Sequence, residues 1–151
     1  MAFTVQIQGL DKLLTKVKTL PKEIQVEISS ELELSAQNIV EKAKLRVPKD
    51  FSGGGGLASK IGTNKTGKPM TYEIFADQSY APYVEFGTGK FVFQNQPWVD
   101  AELMRYAREF FVNGKGTLPP KPYFFNSFFE EKPVLIKNIK KVLELKKWKT
   151  G

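Results

Sequence analysis

A long amphipathic helix is the feature that most constrains the fold of this chain. Between residues 22 and 47, apolar side chains recur every three or four positions, which places them on one stripe of a helix. The stripe consists of Ile24, Ile28, Leu32, Ala36, Ile39, Val40, Ala43 and Val47. Pro48 disfavours helical geometry at the preceding residue and marks the end. At about 1.5 Å per residue, this helix spans roughly 40 Å and can act as the backbone of a small domain.

Three shorter stretches predict β-strands. Residues 3–7 alternate apolar and polar side chains, and Gly9 ends the alternation. Residues 72–76 alternate in the same way, and residues 57–63 form a weaker candidate. We expect the last two stretches to pair as a hairpin.

A short helix is predicted within residues 80–89, which read Y-A-P-Y-V-E-F-G-T-G. Pro82 suits the first position of a helix, and Gly87 suits the left-handed residue just past its end. A strand is the alternative, with Pro82 as the objection.

The remaining patterns predict helices and one aromatic cluster. Residues 10–17 and 98–112 have helical apolar spacing, and residues 114–122 form a linker rich in Gly and Pro. An aromatic cluster follows at residues 123–129. The last helix is basic and amphipathic, with Pro133 at its start or at a kink. Its apolar residues are Leu135, Ile136, Ile139, Val142 and Leu143.

Composition excludes several classes of function. The chain of 151 residues has no cysteine and no histidine, so disulfides, Cys- or His-based zinc sites, thiol nucleophiles and His acid–base schemes are absent. We expect one domain and neither cofactor nor metal. There is no apolar run of about 18–20 residues and no signal-peptide pattern, so we expect no membrane contact and a protein folded in the cytoplasm. Much of the net charge of +7 gathers in the C-terminal lysines, for which a solvated helix face is favoured over the alternative of a nucleic-acid surface.

The order of the motifs resembles the siphophage tail-component family, whose members are tail-completion or head–tail joining proteins. G-L-D at residues 9–11 follows a strand, and the long helix ends in V-P-K-D at residues 47–50. A glycine-rich loop leads to L-A-S-K-I at residues 57–61. Y-A-P-Y-V-E-F-G-T at residues 80–88 is the most specific segment, and P-K-P-Y-F at residues 120–124 precedes a helix rich in Lys and Glu.

This resemblance implies an α+β fold, in which a small antiparallel sheet is crossed by a long helix and further helices follow at the C-terminus. It also implies a virion protein without catalytic activity, assembled in the host cytoplasm. Such proteins commonly form a ring of six copies where the tail joins the head, and their partners are other tail or neck proteins. A tail-terminator role is the neighbouring alternative. The chain departs from the family pattern in its run of glycines before Leu57 and in a helical insertion at about residues 94–117.

Aromatic residues are the candidates for an assembly interface. Packing in the core is the alternative for the aromatic residues of residues 80–86, and core and partner contact are equally open for the phenylalanines of residues 124–129. The candidate interface residues are Tyr80, Tyr83, Phe86, Tyr123, Phe124, Phe128 and Phe129.

A glycine-rich loop at about residues 52–69 is the candidate for a mobile element that becomes ordered on assembly. Lys60, Lys65 and Lys68 would face passing DNA or an acidic partner, and a flexible solvent loop is the alternative. The four successive glycines lack the Gly-Lys-Ser/Thr that a phosphate-binding loop requires.

Glu85 is the residue that an enzyme hypothesis would choose, because it lies between aromatic residues. A structural role, accepting hydrogen bonds from backbone or pairing with a cation, is favoured because no catalytic partner accompanies it. A carboxylate-dependent hydrolase would need two converging acidic groups, and no paired motif occurs. A nucleic-acid-binding module would place basic residues on the strands, yet residues 3–7 and 72–76 contain neither Lys nor Arg.

Overall fold

A three-stranded sheet and two long helices form the architecture. The computed structural model describes residues 3–8, 19–49, 56–68, 70–88 and 118–150, and for residues 3–8 and 146–150 it describes the backbone. In chain order the elements are β1 (Phe3–Gln8), α1 (Lys22–Arg46), a 3-10 helix (Leu57–Lys60), β2 (Ile61–Lys65), β3 (Thr71–Ala76), α2 (Ala81–Phe86) and α3 (Phe125–Thr150). The α+β class is therefore confirmed. No helix in these described ranges is long and apolar enough to cross a membrane.

The long helix forms as its apolar stripe predicts. α1 ends at Arg46, and Val47 follows as its C-cap in an extended conformation that fits a residue before proline. All eight stripe residues are buried, and the helix packs against β2, β3 and α3. This stripe is the centre of the hydrophobic core.

The sheet has β3 at its centre, with the strand order β1-β3-β2 and antiparallel pairing throughout. Tyr72, Ile74 and Ala76 turn to the core, as their alternation predicts. The predicted hairpin is confirmed, and Met70 adopts a positive φ of 52° just before β3. The 3-10 helix and β2 occupy residues 57–65, so this part of the predicted mobile loop is regular structure. Backbone hydrogen bonds between β2 and β3 hold this segment in the sheet.

The C-terminal helix starts earlier than the sequence indicates. α3 begins at Phe125, and Pro133 lies inside it, so the predicted start at Pro133 is wrong and the alternative of a proline within the helix holds. The aromatic residues of the cluster from Phe125 onward are therefore helical: Phe125 is buried, and Phe128 and Phe129 are partly buried. Four sequence predictions lie wholly or largely outside the described residues, namely the helices at residues 10–17 and 98–112, the insertion at residues 94–117 and the glycine run at residues 53–56, of which only Gly56 is described.

A polar cluster joins α1 to α3 across the core. Glu131 is buried, and its carboxylate accepts hydrogen bonds from Ser35 Oγ (3.3 Å), Asn38 Nδ2 (3.1 Å) and Lys42 Nζ (3.0 Å). The hydrogen bond to Glu131 raises the pKa of Lys42. Residues later in α1 bond to residues earlier in α3, so the two helices run antiparallel.

We expect Glu131→Gln to lower the free energy of unfolding by about 1–3 kcal/mol, because a buried charged acceptor is replaced by an amide with only one acceptor oxygen. Urea denaturation followed by circular dichroism measures this. Glu130→Gln is the matched control, since Glu130 also pairs with Lys42 but is half exposed to water, and its loss should be smaller. Equal losses in the two variants would contradict a special role for the buried carboxylate.

Candidate functional site

Two segments that are distant in the sequence lie side by side. Residues 81–88 and residues 118–125 are joined by hydrogen bonds along their length, and we name this region the segment junction. Lys121 N donates to Val84 O (2.8 Å), and Thr88 N donates to Leu118 O (2.9 Å). Leu118 N donates a hydrogen bond to Thr88 Oγ1 (3.0 Å). The segment junction thus connects parts of the chain that are separated by the residues of the insertion.

Glu85 lies at the centre of the segment junction. Its side chain is completely buried, and its carboxyl group accepts three backbone hydrogen bonds. Tyr123 N (2.8 Å) and Phe124 N (2.9 Å) donate to Oε2, while Phe125 N (3.0 Å) donates to Oε1. These N–H groups precede and open α3, so Glu85 caps the N-terminus of a helix that begins 40 residues later in the chain.

This cap is needed because α3 starts with residues that cannot cap themselves. Phe128 N bonds to Phe124 O, so Phe124 occupies the position before the helix where Ser, Thr, Asp or Asn is usual. A phenylalanine side chain cannot accept a hydrogen bond from the first N–H groups of the helix. Glu85 supplies an acceptor from another segment, for the N–H of the first helical residue and of the two residues before it.

Burial dominates the electrostatics of Glu85. Loss of solvation raises the pKa of its carboxyl group from 4.5 to about 7, and the three N–H bonds act in the opposite direction without cancelling the shift. Burial also raises the pKa of the Tyr123 hydroxyl, with the nearby Glu85 adding to the effect. That hydroxyl donates to Ala81 O (3.1 Å), which adds a further link across the segment junction.

We expect stability to decrease as the pH rises through about 7. The folded pKa of Glu85 lies above its ordinary value, so its proton is held more tightly in the folded state than in the unfolded one. The resulting stabilisation is complete below about pH 4.5 and is lost as Glu85 ionises, by up to about 3 kcal/mol. Urea denaturation at pH 5.5, 7 and 8.5 measures the effect.

Glu85→Gln is the control for this pH dependence, because the amide does not titrate. No histidine or cysteine contributes in this range, since the chain has neither. The variant should show a nearly flat profile between pH 5.5 and 8.5. A flat profile in the wild-type protein would mean that the N–H donors hold Glu85 ionised throughout.

Gly87 closes the segment junction with a conformation that other residues rarely adopt. Its φ is +78° and its ψ is −170°, so the positive φ is confirmed but the conformation is extended and not left-handed helical. A Cβ atom at this position would lie 2.8 Å from both Leu118 O and Pro120 N. Glycine therefore permits the close approach of the two segments.

The predicted interface aromatics divide into two groups. Phe86, Tyr123 and Phe124 are completely buried within the chain, which is the core alternative that the sequence left open for Phe86 and Phe124 but not for Tyr123. Their burial follows from the segment junction, where Phe86 packs on Phe125 with ring centroids 5.9 Å apart. The other four have exposed surface, with Tyr83 the most exposed. They are Tyr80, Tyr83, Phe128 and Phe129.

The lysines of the predicted loop lie on the hairpin and not in an irregular loop. Lys60 ends the 3-10 helix, Lys65 ends β2, and Lys68 lies in the turn that follows. All three are exposed. They remain candidates for contact with a partner or with DNA.

Within the described residues, no group of three acidic, Cys or His side chains is arranged to hold a metal ion. The carboxyl group of Glu85 is saturated by backbone donors, and none of its hydrogen bonds reaches a cleft. The structural interpretation of Glu85, as an acceptor of backbone hydrogen bonds, is therefore confirmed. Sequence reasoning missed its partner: the signal was the absence of any capping residue before the aromatic cluster.

Together, these elements form an α+β fold in which the glutamate of the most specific motif binds the protein's own backbone. The chain matches the family model described as "HK97-gp10-like: Bacteriophage HK97-gp10, putative tail-component" over residues 11–87. This match covers just over half of the 151 residues and includes both Glu85 and Gly87. The chain therefore belongs to this family of phage tail components. Comparison with curated proteins gave no match, and neither did comparison with solved structures.

Proposed function

We propose that this protein completes the top of the phage tail, at the junction with the head, as a homo-oligomeric ring without catalytic activity. Membership of the tail-component family gives a structural role in the tail. The observation that carries the finer proposal is the segment junction, which uses its one central carboxyl group to hold two segments together. In this proposal the segment junction holds a surface in place and does not form a reactive site.

A rigid scaffold with exposed aromatic residues suits a protein that works by adhesion. Glu85 anchors α3, and Glu131 ties α3 to α1, so both long helices have fixed positions. The partly exposed aromatics Phe129 and Tyr83 lie on α3 and on the short helix α2 that carries Glu85, and aromatic side chains are common at the centres of protein interfaces. Other tail or neck proteins are the proposed partners.

Inactivation of the gene in its parent phage or prophage tests this proposal. Electron microscopy of lysates should show filled heads together with unattached or malformed tails. A plasmid-borne wild-type copy should restore plaques, and a copy with Glu85→Ala should not. Tails of uncontrolled length would indicate a terminator role in place of completion. Normal, infectious virions from the inactivated phage would contradict the proposal.

A further inference from the structure

Exposed apolar side chains gather on the outer faces of the two long helices. Among the described residues, five of the six exposed large hydrophobic residues lie on α1 or α3, and the sixth is Tyr83 on α2. The five are Val26, Leu34, Leu45, Val134 and Leu145. Single exposed apolar residues are common on protein surfaces, and the charges around them distinguish the two helices.

The outer face of α1 is acidic around an apolar centre. Its residues are exposed and follow helical spacing, which places them on the side away from the buried stripe. They are Val26, Ser30, Glu33, Leu34, Gln37 and Glu41, and we name this set the acidic face. Between residues 22 and 41 the helix carries five glutamates and one lysine.

The outer face of α3 is basic around an apolar centre. A shallow depression there has apolar walls between lysine side chains and spans 12 residues, from Pro133 to Glu144. It is lined by Pro133, Ile136, Lys137, Lys140, Lys141 and Glu144, and we name this set the basic face. The two faces thus have opposite net charge, and each includes apolar side chains.

We propose that the acidic face of one copy of this chain docks on the basic face of the next copy. The inference rests on the proposed ring, for which it identifies the contact between subunits. Two different surfaces of one chain that complement each other form a head-to-tail contact, and repetition of that contact closes a ring when the rotation allows. A symmetric pairing of like faces would instead bring like charges together.

The contact is weak by itself. Two helix faces of this length bury less than a standard interface of about 800 Å² per partner. Closure of the ring makes the last contact intramolecular and so stabilises the whole assembly. Charged rims also make the association weaker at high salt.

Charge reversal with mixing tests the contact. The first variant carries Glu33→Lys and Glu41→Lys, and the second carries Lys137→Glu and Lys140→Glu. In each variant alone, the two docking faces carry the same charge and repel each other. In an equal mixture, alternation of the two variants around the ring places opposite charges at every contact. In a phage that lacks the gene, either variant alone should lower the plaque count at least 100-fold, and co-expression of both should restore it. All four positions are exposed, so the thermal unfolding of each variant should match the wild type.

Cysteine cross-linking provides a direct measurement, since the chain has no cysteine of its own. Leu34→Cys and Lys137→Cys are made in separate proteins, one of which carries a size tag, and are treated with a bismaleimide. In the mixture, we expect a cross-linked dimer that contains one tagged and one untagged chain. Either protein alone should give little dimer. Addition of 1 M salt, which shortens the screening length to about 3 Å, should reduce the yield.

Three outcomes would overturn the proposed contact. A dimer of Leu34→Cys alone would show a symmetric pairing of α1. Absence of mixed cross-links up to millimolar protein would show that the faces do not meet. If the co-expressed pair formed no plaques although each variant folded, the two faces would bind another virion protein and not each other. In the last two cases the role in the tail still stands, because only the inactivated gene tests it.

Discussion

Glu85→Ala is expected to lower the free energy of unfolding by about 4 kcal/mol. The variant leaves three backbone N–H groups at the start of α3 buried and without their acceptor, and each costs roughly 1–3 kcal/mol. A cavity forms as well, because the side chain is completely buried. Small domains have about 5–15 kcal/mol in total, so the variant is close to the limit of folding. Urea denaturation at pH 5.5 measures the loss.

Two comparison variants identify the cause of that loss. Glu85→Gln keeps one acceptor oxygen and should lose clearly less than Glu85→Ala. Glu33→Ala removes the same side chain from an exposed helical position and should change stability by less than about 0.5 kcal/mol. If Glu85→Ala behaved like Glu33→Ala, the cap on α3 would have no energetic importance. Hydrogen exchange at residues 123–125 gives a local readout, since their amides should lose protection first.

Gly87→Ala is expected to destabilise the protein by about 3 kcal/mol or more. Alanine rarely adopts a φ of +78° with a ψ of −170°, a region that is almost restricted to glycine. Its Cβ would also lie 2.8 Å from Leu118 O and Pro120 N, which are backbone atoms that cannot rotate away. The two segments would have to separate, and the hydrogen bond from Thr88 N to Leu118 O would break.

Gly67→Ala is the matched control. A Cβ atom at Gly67 meets nothing within 4 Å, and the residue lies in the exposed turn between β2 and β3. It should have little effect on the midpoint of urea denaturation, or raise it slightly by restricting the unfolded chain. If the two glycine variants unfolded at the same urea concentration, close approach at Gly87 would not be a requirement of the fold.

Glu85 and Gly87 both belong to the most specific motif of this chain. The segment at residues 80–88 is the most distinctive in the sequence, and a buried glutamate between aromatic residues could indicate chemistry. The structure assigns it instead to the correct docking of α3. Variation at Glu85 should therefore affect assembly through loss of the α3 position, and not through loss of a reaction.

Local patterns were sufficient to predict most of the secondary structure. The stripe of α1 and the alternation in β1 and β3 depend on which neighbouring residues are apolar, and burial of one face imposes that period directly. The short helix α2 was also predictable, because Pro82 and Gly87 have backbone preferences of their own. The α+β fold and the family followed from the order of these pieces.

Tertiary structure alone decided where α3 begins and what Glu85 does. Phe124 and Phe125 give no local start signal, and Pro133 suggests a later one, so the helix starts where an acceptor from residue 85 meets its first N–H groups. The burial of Phe86, Tyr123 and Phe124 has the same origin. Contacts between residues about 40 positions apart leave no periodic trace in a single sequence, because periodicity records only which face of an element is buried. The partner of that face is set by the packing of the whole chain.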